Sequence, residues 1–167
     1  LSADYVDVDQ RSFPRRGIAG SASLRGGIEG AGSDANFSQL HAQARWFKGI
    51  GDSDRLILRG ELGHTFTDGL SDMPPSLRYY AGGDNSIRGY QYREVGPQVQ
   101  TDKGKFSVGA KNVVTASAEY EHYFNASWGA AAFVDSGSAF DGTDADWRTG
   151  VGVGVRTPNV SEQELDQ

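Results

Sequence analysis

Apolar and polar side chains alternate along most of this chain, most clearly near its C-terminal end. Across residues 147–156 the odd positions are Trp, Thr or Val, whereas the even positions are only Gly or Arg. Successive side chains of a β-strand point to opposite faces of the sheet, so the pattern predicts a strand between two very different media. Helical periodicity is nearly absent from the chain.

The same period of two predicts about seven strands in all. In chain order they cover residues 2–9, 16–29, 36–48, 55–66, 111–124, 128–140 and 147–156. Most have about ten residues or more, the length that a tilted strand needs to span a bilayer, whereas strands of soluble sheets have about five or six. An antiparallel sheet with one solvated face would alternate in the same way, so periodicity alone leaves both interpretations open.

The two faces of the predicted strands differ in a way that favours the membrane. Charged side chains recur on one face, namely Arg45, Arg59, Glu61, Glu119, Glu121, Arg148 and Arg156. Aromatic side chains lie near strand ends, namely Trp46, Phe66, Phe124, Trp128, Phe140 and Trp147. A polar interior, an apolar outer belt and aromatic girdles are typical of a transmembrane β-barrel, so we predict an all-β, antiparallel barrel fold.

Composition excludes several classes of function. The chain has no cysteine, which excludes disulfide scaffolds, zinc–thiolate sites and cysteine enzymes. Its net charge of -6, without a run of Lys or Arg, argues against a nucleic-acid partner. The histidines are scattered, and no arrangement of Ser, His and Asp suits a hydrolase, so we predict no catalytic site, no metal site and no cofactor.

The connections between the predicted strands alternate between short and long, as in outer-membrane barrels. Residues 67–110 form the longest connection, and a loop of that length in a compact domain is expected to be functional. It contains the segment Gly82-Gly83-Asp84-Asn85-Ser86-Ile87-Arg88-Gly89-Tyr90. The first four residues of this segment predict a turn, and Arg88 and Tyr90 are large, directional side chains that suit an ordered loop.

This segment resembles the arginine-glycine-aromatic loop of the BamA/TamA superfamily of outer-membrane assembly factors, which also includes the transporters of two-partner secretion. Three further segments resemble that family in the same order, at residues 13–17, 115–119 and 133–137. The resemblance covers residues 1–158. Within the superfamily, the amino-acid sequence of residues 82–90 is most similar to the TamA branch.

The resemblance implies a sixteen-stranded barrel, of which about seven strands are present here, with a long loop folded back into the lumen. It also implies that the motif arginine meets acidic residues on the next two strands, which places Arg88 beside Glu119 and Asp135. Strand parity points the same way, since Glu119 lies on the polar face and Asp135 is the one carboxylate of its strand. The loop motif is expected to act through Gly82, Gly83, Ser86, Ile87, Arg88, Gly89 and Tyr90.

The function that the resemblance implies is non-enzymatic: the insertion or secretion of other proteins at the Gram-negative outer membrane. The implied partners are the lipid bilayer, substrate outer-membrane proteins and, through N-terminal domains, a periplasm-spanning TamB-like protein. Two alternatives stay open within transport, namely a two-partner secretion pore for one exoprotein and the barrel part of a lipase-fused outer-membrane protein. A soluble β domain that uses the long loop for recognition is a further alternative.

We expect residues 1–158 to form a partial barrel domain and residues 159–167 a polar tail. Because seven strands cannot close a barrel of this type, the chain is expected to be a fragment, a truncated product or one part of a split chain. Gly150, Gly152 and Gly154 lack the spacing of a dinucleotide-binding loop. They are predicted to lie in a strand that packs closely on the lumen loop.

Overall fold

A computed structural model describes residues 1–30, 36–67 and 69–157 of the chain. The expected polar tail, residues 159–167, lies outside the described residues. The described strands are β1 (Ser2–Val8), β2 (Arg16–Gly27), β3 (Phe37–Ile50), β4 (Asp54–Thr67), β5 (Gln98–Thr101), β6 (Gly104–Ser107), β7 (Asn112–Tyr123), β8 (Gly129–Phe140) and β9 (Arg148–Arg156).

Seven of these strands form one antiparallel sheet in the order β1-β2-β3-β4-β7-β8-β9. Each strand of this sheet coincides with a strand predicted from the alternation, to within a few residues at either end. The prediction of an all-β antiparallel fold with about seven strands is therefore confirmed. No helix in the described part of the chain is long and apolar enough to cross a membrane.

The long connection between β4 and β7 contains structure that the sequence analysis did not predict. Two short 3₁₀ turns, Leu70–Asp72 and Pro75–Leu77, precede the motif, and a small hairpin of β5 and β6 follows it. Each hairpin strand has four residues, which is too short for an alternating pattern to stand out. The hairpin forms a sheet of its own and does not extend the large sheet.

Burial in the large sheet is inverted relative to a soluble protein. Apolar side chains on one face, such as Val151 and Val153 of β9, are largely exposed. Carboxylates on the other face, such as Glu121 of β7 and Asp135 of β8, are buried. We call this second face the lumen face, and its chemistry is that of a barrel whose apolar side meets lipid.

The main apolar cluster lies where the long loop packs on the lumen face. The loop contributes Ala81, Ile87, Val95 and Ala110, and the cluster is completed by Val113 of β7 and Ala139 of β8. Burying apolar surface in this way stabilises the contact by about 25 cal/mol for each Å² removed from water. The loop thus folds back over the sheet instead of extending away from it.

Candidate functional site: the loop tip and its lumen partners

The backbone of residues 82–90, here called the loop tip, is a tight turn that depends on glycine. Gly82, Gly83 and Gly89 have φ values of 102°, 100° and 92°, a region that side chains other than glycine rarely adopt. The amide of Gly83 donates to the carbonyl of Tyr90 at 3.1 Å, and the amide of Gly82 donates to Oγ of Ser86 at 3.2 Å. These bonds close the turn and leave its far end directed at the sheet.

The neighbours of Arg88 anchor the loop tip on the lumen face. Ile87 has an exposed fraction of 0% and lies in the apolar cluster described above. Tyr90 packs against the same cluster, and its hydroxyl donates to the carbonyl of Thr149 at 3.4 Å. These contacts on both sides of Arg88 fix the backbone from which its side chain extends toward the sheet.

Arg88 forms a two-pronged contact with Asp135. Its Nε lies 2.6 Å from Oδ2 and its Nη2 lies 2.8 Å from Oδ1, while its backbone amide donates to Oδ2 at 3.0 Å. Parallel hydrogen bonds of this kind between guanidinium and carboxylate are among the strongest in proteins. Arg88 Nη1 also forms an ion pair with Glu119, so one arginine joins two adjacent strands. We call Arg88, Glu119 and Asp135 the lock.

Burial makes the lock sensitive to the loss of any one member. The side chains of Arg88, Glu119 and Asp135 are 13%, 9% and 0% exposed. Burial alone would lower the pKa of Arg88, but its hydrogen bonds to Asp135 and Glu119 outweigh burial and raise that pKa above the usual value. Like other arginines, Arg88 stays charged at any physiological pH. A buried charge whose partner is removed costs about 3 to 5 kcal/mol.

Glycine on β9 makes the close approach of the loop possible. A Cβ atom at Gly150 would lie 1.9 Å from the carbonyl oxygen of Arg88, a distance that no side chain can occupy. At Gly152 a Cβ would lie 2.6 Å from the ring of Phe133, and that ring in turn lies 3.6 Å from the guanidinium carbon of Arg88. The prediction that this glycine-rich strand packs closely on the lumen loop is confirmed.

Comparison with known proteins identifies the family. The model of the Omp85 superfamily domain matches residues 1–158. The chain belongs to the Omp85 superfamily. This confirms the predicted superfamily and its location in the outer membrane of Gram-negative bacteria.

Two relatives of this Omp85 chain are described as BamA. The outer membrane protein assembly factor BamA of Neisseria meningitidis serogroup B is 28% identical over 160 residues, which cover 92% of this chain and 20% of that protein. The crystal structure of BamA from Haemophilus ducreyi lacking POTRA domains 1-3 matches with a TM-score of 0.79 and 19% identity, over 93% of this chain and 35% of that one. The Omp85 chain therefore spans about a fifth of the length of the curated relative.

The Omp85 site contains side chains that the sequence analysis did not assign to the lock. They are Arg59, Ser117, Phe133 and Arg156. Arg59 lies 3.6 Å from Asp135, and Ser117 Oγ accepts hydrogen bonds from both Arg59 and Arg88. Ser117 and Phe133 share the strand and parity of Glu119 and Asp135, and the two arginines lie on the polar faces of their own strands. The lumen face was therefore visible in the sequence. Which of its residues converge on Arg88 depends on strand register, which parity does not specify.

The charged side chains of the site hold the loop tip against the sheet. Its charged groups are already paired with each other, and the hydroxyl nearest to them, Ser117, serves as a hydrogen-bond acceptor for two arginines. In the part of the chain that the structure describes, no group of three or more His, Cys, Asp or Glu side chains is arranged to hold a metal ion. The arrangement is suited to holding a loop against a wall.

Proposed function

We propose that this chain is the loop-bearing part of an outer-membrane assembly or translocation factor. The full-length protein would help to insert or secrete β-barrel or autotransporter proteins, and the bilayer and substrate outer-membrane proteins would be its partners. Membership of the Omp85 superfamily supports this proposal, as does similarity to a protein described as an outer membrane protein assembly factor. Its role is mechanical and non-enzymatic.

The observation that carries the proposal is the contact of Arg88 with Asp135 and Glu119. Through it, a loop that starts at the far end of β4 is fixed to the middle of β7 and β8. We infer that the lock keeps the loop inside the lumen and holds these two strands in place while substrate strands enter the membrane nearby. The residues that shape the tip, Gly82 to Tyr90, serve by presenting Arg88.

A TamA-like role is the finer form of the proposal. It is supported by the amino-acid sequence of residues 82–90 as a whole, Gly82 to Tyr90. In that case a periplasm-spanning TamB-like protein would be the partner, reached through N-terminal domains of the full-length protein. The chemistry of the barrel supports every branch of the superfamily equally. An experiment that distinguishes the branches must therefore identify which proteins are assembled or exported.

The test replaces Arg88 in the full-length protein and follows assembly in cells that depend on it. With Arg88→Gln, we expect the amount of substrate outer-membrane protein that reaches its folded, heat-modifiable form to fall by roughly tenfold, because both carboxylates of the lock lose their cation. Arg148→Gln is the matched control, because that arginine is 49% exposed and pairs with an exposed aspartate near the end of the same sheet. It should leave assembly unchanged.

The same experiment separates the proposed function from its alternatives. Normal assembly with Arg88→Gln, in a protein that is folded and present at normal levels, would contradict the proposed role of the lock. If depletion of the wild-type protein abolishes export of one exoprotein and leaves other outer-membrane proteins assembled, the chain belongs to a secretion pore. Lipase activity that depends on the full-length protein would indicate the fused enzyme.

A further inference from the structure

A second group of buried side chains lies beside the lock, toward the end of the lumen face where the short connections β1–β2, β3–β4 and β7–β8 are found. Glu121 of β7 is almost completely buried, and its Oε2 accepts hydrogen bonds from Arg55 Nε at 2.7 Å and from the Tyr123 hydroxyl at 3.0 Å. Arg55 Nη2 completes the ion pair at 2.6 Å. The lock does not include any of these three residues.

The same arginine holds the turn between β1 and β2, residues 9–15, which we call the inner turn. Arg55 Nη1 donates to the carbonyl of Pro14 at 2.8 Å, and the guanidinium carbon lies 4.0 Å from the centre of the Phe13 ring. Phe13 packs edge-on against Tyr123, with ring centres 5.3 Å apart. The inner turn is thus drawn onto the lumen face by one cation and one aromatic contact.

Arg156 connects this group to the lock. From the end of β9 it reaches across β8 to Glu119, with Nη2 at 2.6 Å and Nε at 2.9 Å from Oε1. Its Nε also lies 3.4 Å from Oε1 of Glu121. Since the other oxygen of Glu119 is bound by Arg88, Glu119 and Glu121 each join two arginines.

We propose that Arg156 is a positioning residue that couples the lock to the inner turn, so that the loop tip and the inner turn are held or released together. The chain of contacts is continuous, from Asp135 and Arg88 through Glu119, Arg156, Glu121 and Arg55 to Phe13 and Pro14. This inference goes beyond the proposed function, because it links the lock to the inner turn and does not depend on any substrate.

The physical reason for coupling is that each carboxylate in this series of contacts is shared by two arginines. When Arg88 leaves Glu119, that carboxylate keeps only Arg156 and attracts it more strongly, which weakens the hold of Arg156 on Glu121. Buried networks of charged hydrogen bonds behave in this cooperative way, and their pairwise energies do not add. Tyr123 and Arg55 must then hold Glu121 and the inner turn without the second cation, Arg156.

Hydrogen exchange of the folded, full-length protein in lipid nanodiscs tests the coupling, with separate peptides reporting on residues 9–16 and on the loop tip. The side-chain hydrogen bonds of Arg88 lie at the lock and at Ser117 beside it. We nevertheless expect Arg88→Gln to speed exchange in residues 9–16 by roughly tenfold, since opening of that segment becomes easier. Arg156→Gln should speed exchange at both ends. In the double variant, Arg88→Gln should add nothing further to exchange at the inner turn.

A control variant and a replacement variant ensure that the experiment can refute the coupling. Arg148→Gln, on the same strand and lumen face, should leave exchange in residues 9–16 unchanged. Heat-modifiable migration selects the variants that fold, and Arg156→Lys, which keeps the charge but cannot span both carboxylates, replaces Arg156→Gln if the latter does not fold. If Arg88→Gln opens the loop tip while residues 9–16 exchange as in the wild type, the coupling is refuted. This outcome is independent of assembly activity.

Discussion

The long loop has two parts that use the same kinds of side chain to very different effect. The loop tip, residues 82–90, presents a cation and an aliphatic side chain that are buried against the sheet. The hairpin of β5 and β6 also carries cations and apolar side chains, including Lys105 and Phe106, but these are exposed, Phe106 by 52%. Both parts are ordered turns of one connection.

The two parts differ because the groups that face a side chain decide how much it contributes to stability. Arg88 faces two carboxylates and an aromatic ring on β7 and β8. In the described residues, the two hairpin strands pair with each other and not with the large sheet. Exposed charges in water contribute about 0 to 1 kcal/mol, but a buried partner is costly to lose. The loop tip should therefore respond strongly to substitution and the hairpin weakly.

The largest expected effect is at the wall beneath the loop tip. Asp135→Asn leaves the guanidinium of Arg88, and that of Arg59 at 3.6 Å, without the carboxylate that faces both. We expect the free energy of unfolding of the full-length barrel to fall by about 3 to 5 kcal/mol. Urea titration of the protein in detergent measures this change.

Asp146→Asn is the matched control for that prediction. Asp146 also pairs with an arginine, Arg148, at 2.5 Å, but its side chain is 72% exposed. Its loss should change the free energy of unfolding by less than about 1 kcal/mol. Equal effects of the two substitutions would contradict the view that burial separates the lock from a surface ion pair.

A smaller effect is expected where the backbone of the loop tip touches β9. Gly150→Ala places a methyl group against the carbonyl oxygen of Arg88, and that oxygen belongs to a tightly bonded turn. The tip must shift outward, which we expect to destabilise the barrel by about 2 kcal/mol and to make the loop accessible to added protease.

Gly154→Ala is the control for the steric argument, since it makes the same change on the same strand and face. A Cβ there would lie 3.6 Å from Nη1 of Arg156, an ordinary contact distance. Protease cleavage of the loop in the Gly154→Ala protein should match the wild type. Loop cleavage that rises equally in both variants would mean that strand flexibility, and not contact with Arg88, explains the result.

The strands of the sheet could be predicted from the sequence more fully than the contacts of the lock. Alternation over about ten residues is a strong signal, so the strands could be predicted. Gly150 was conspicuous because one face of its strand carries only glycine and arginine. The convergence of Arg59 and Arg156 on the lock could not be predicted. It depends on register across four strands, and on a loop whose path no periodic pattern describes.

The smallest effect is expected for a substitution in the hairpin, and it tests whether the hairpin supports the loop tip. Phe106 faces Val99 across the two strands, and both side chains remain half exposed. Phe106→Ser should therefore change the free energy of unfolding by less than about 0.5 kcal/mol and leave the loop tip protected from protease. Among the described residues, none of the hydrogen bonds or ion pairs of the lock involves the hairpin. A loss comparable to that of Asp135→Asn would show that the hairpin supports the loop tip from outside. In that case the two parts of the loop would form one stabilising unit, and burial against the sheet would not be the property that distinguishes them.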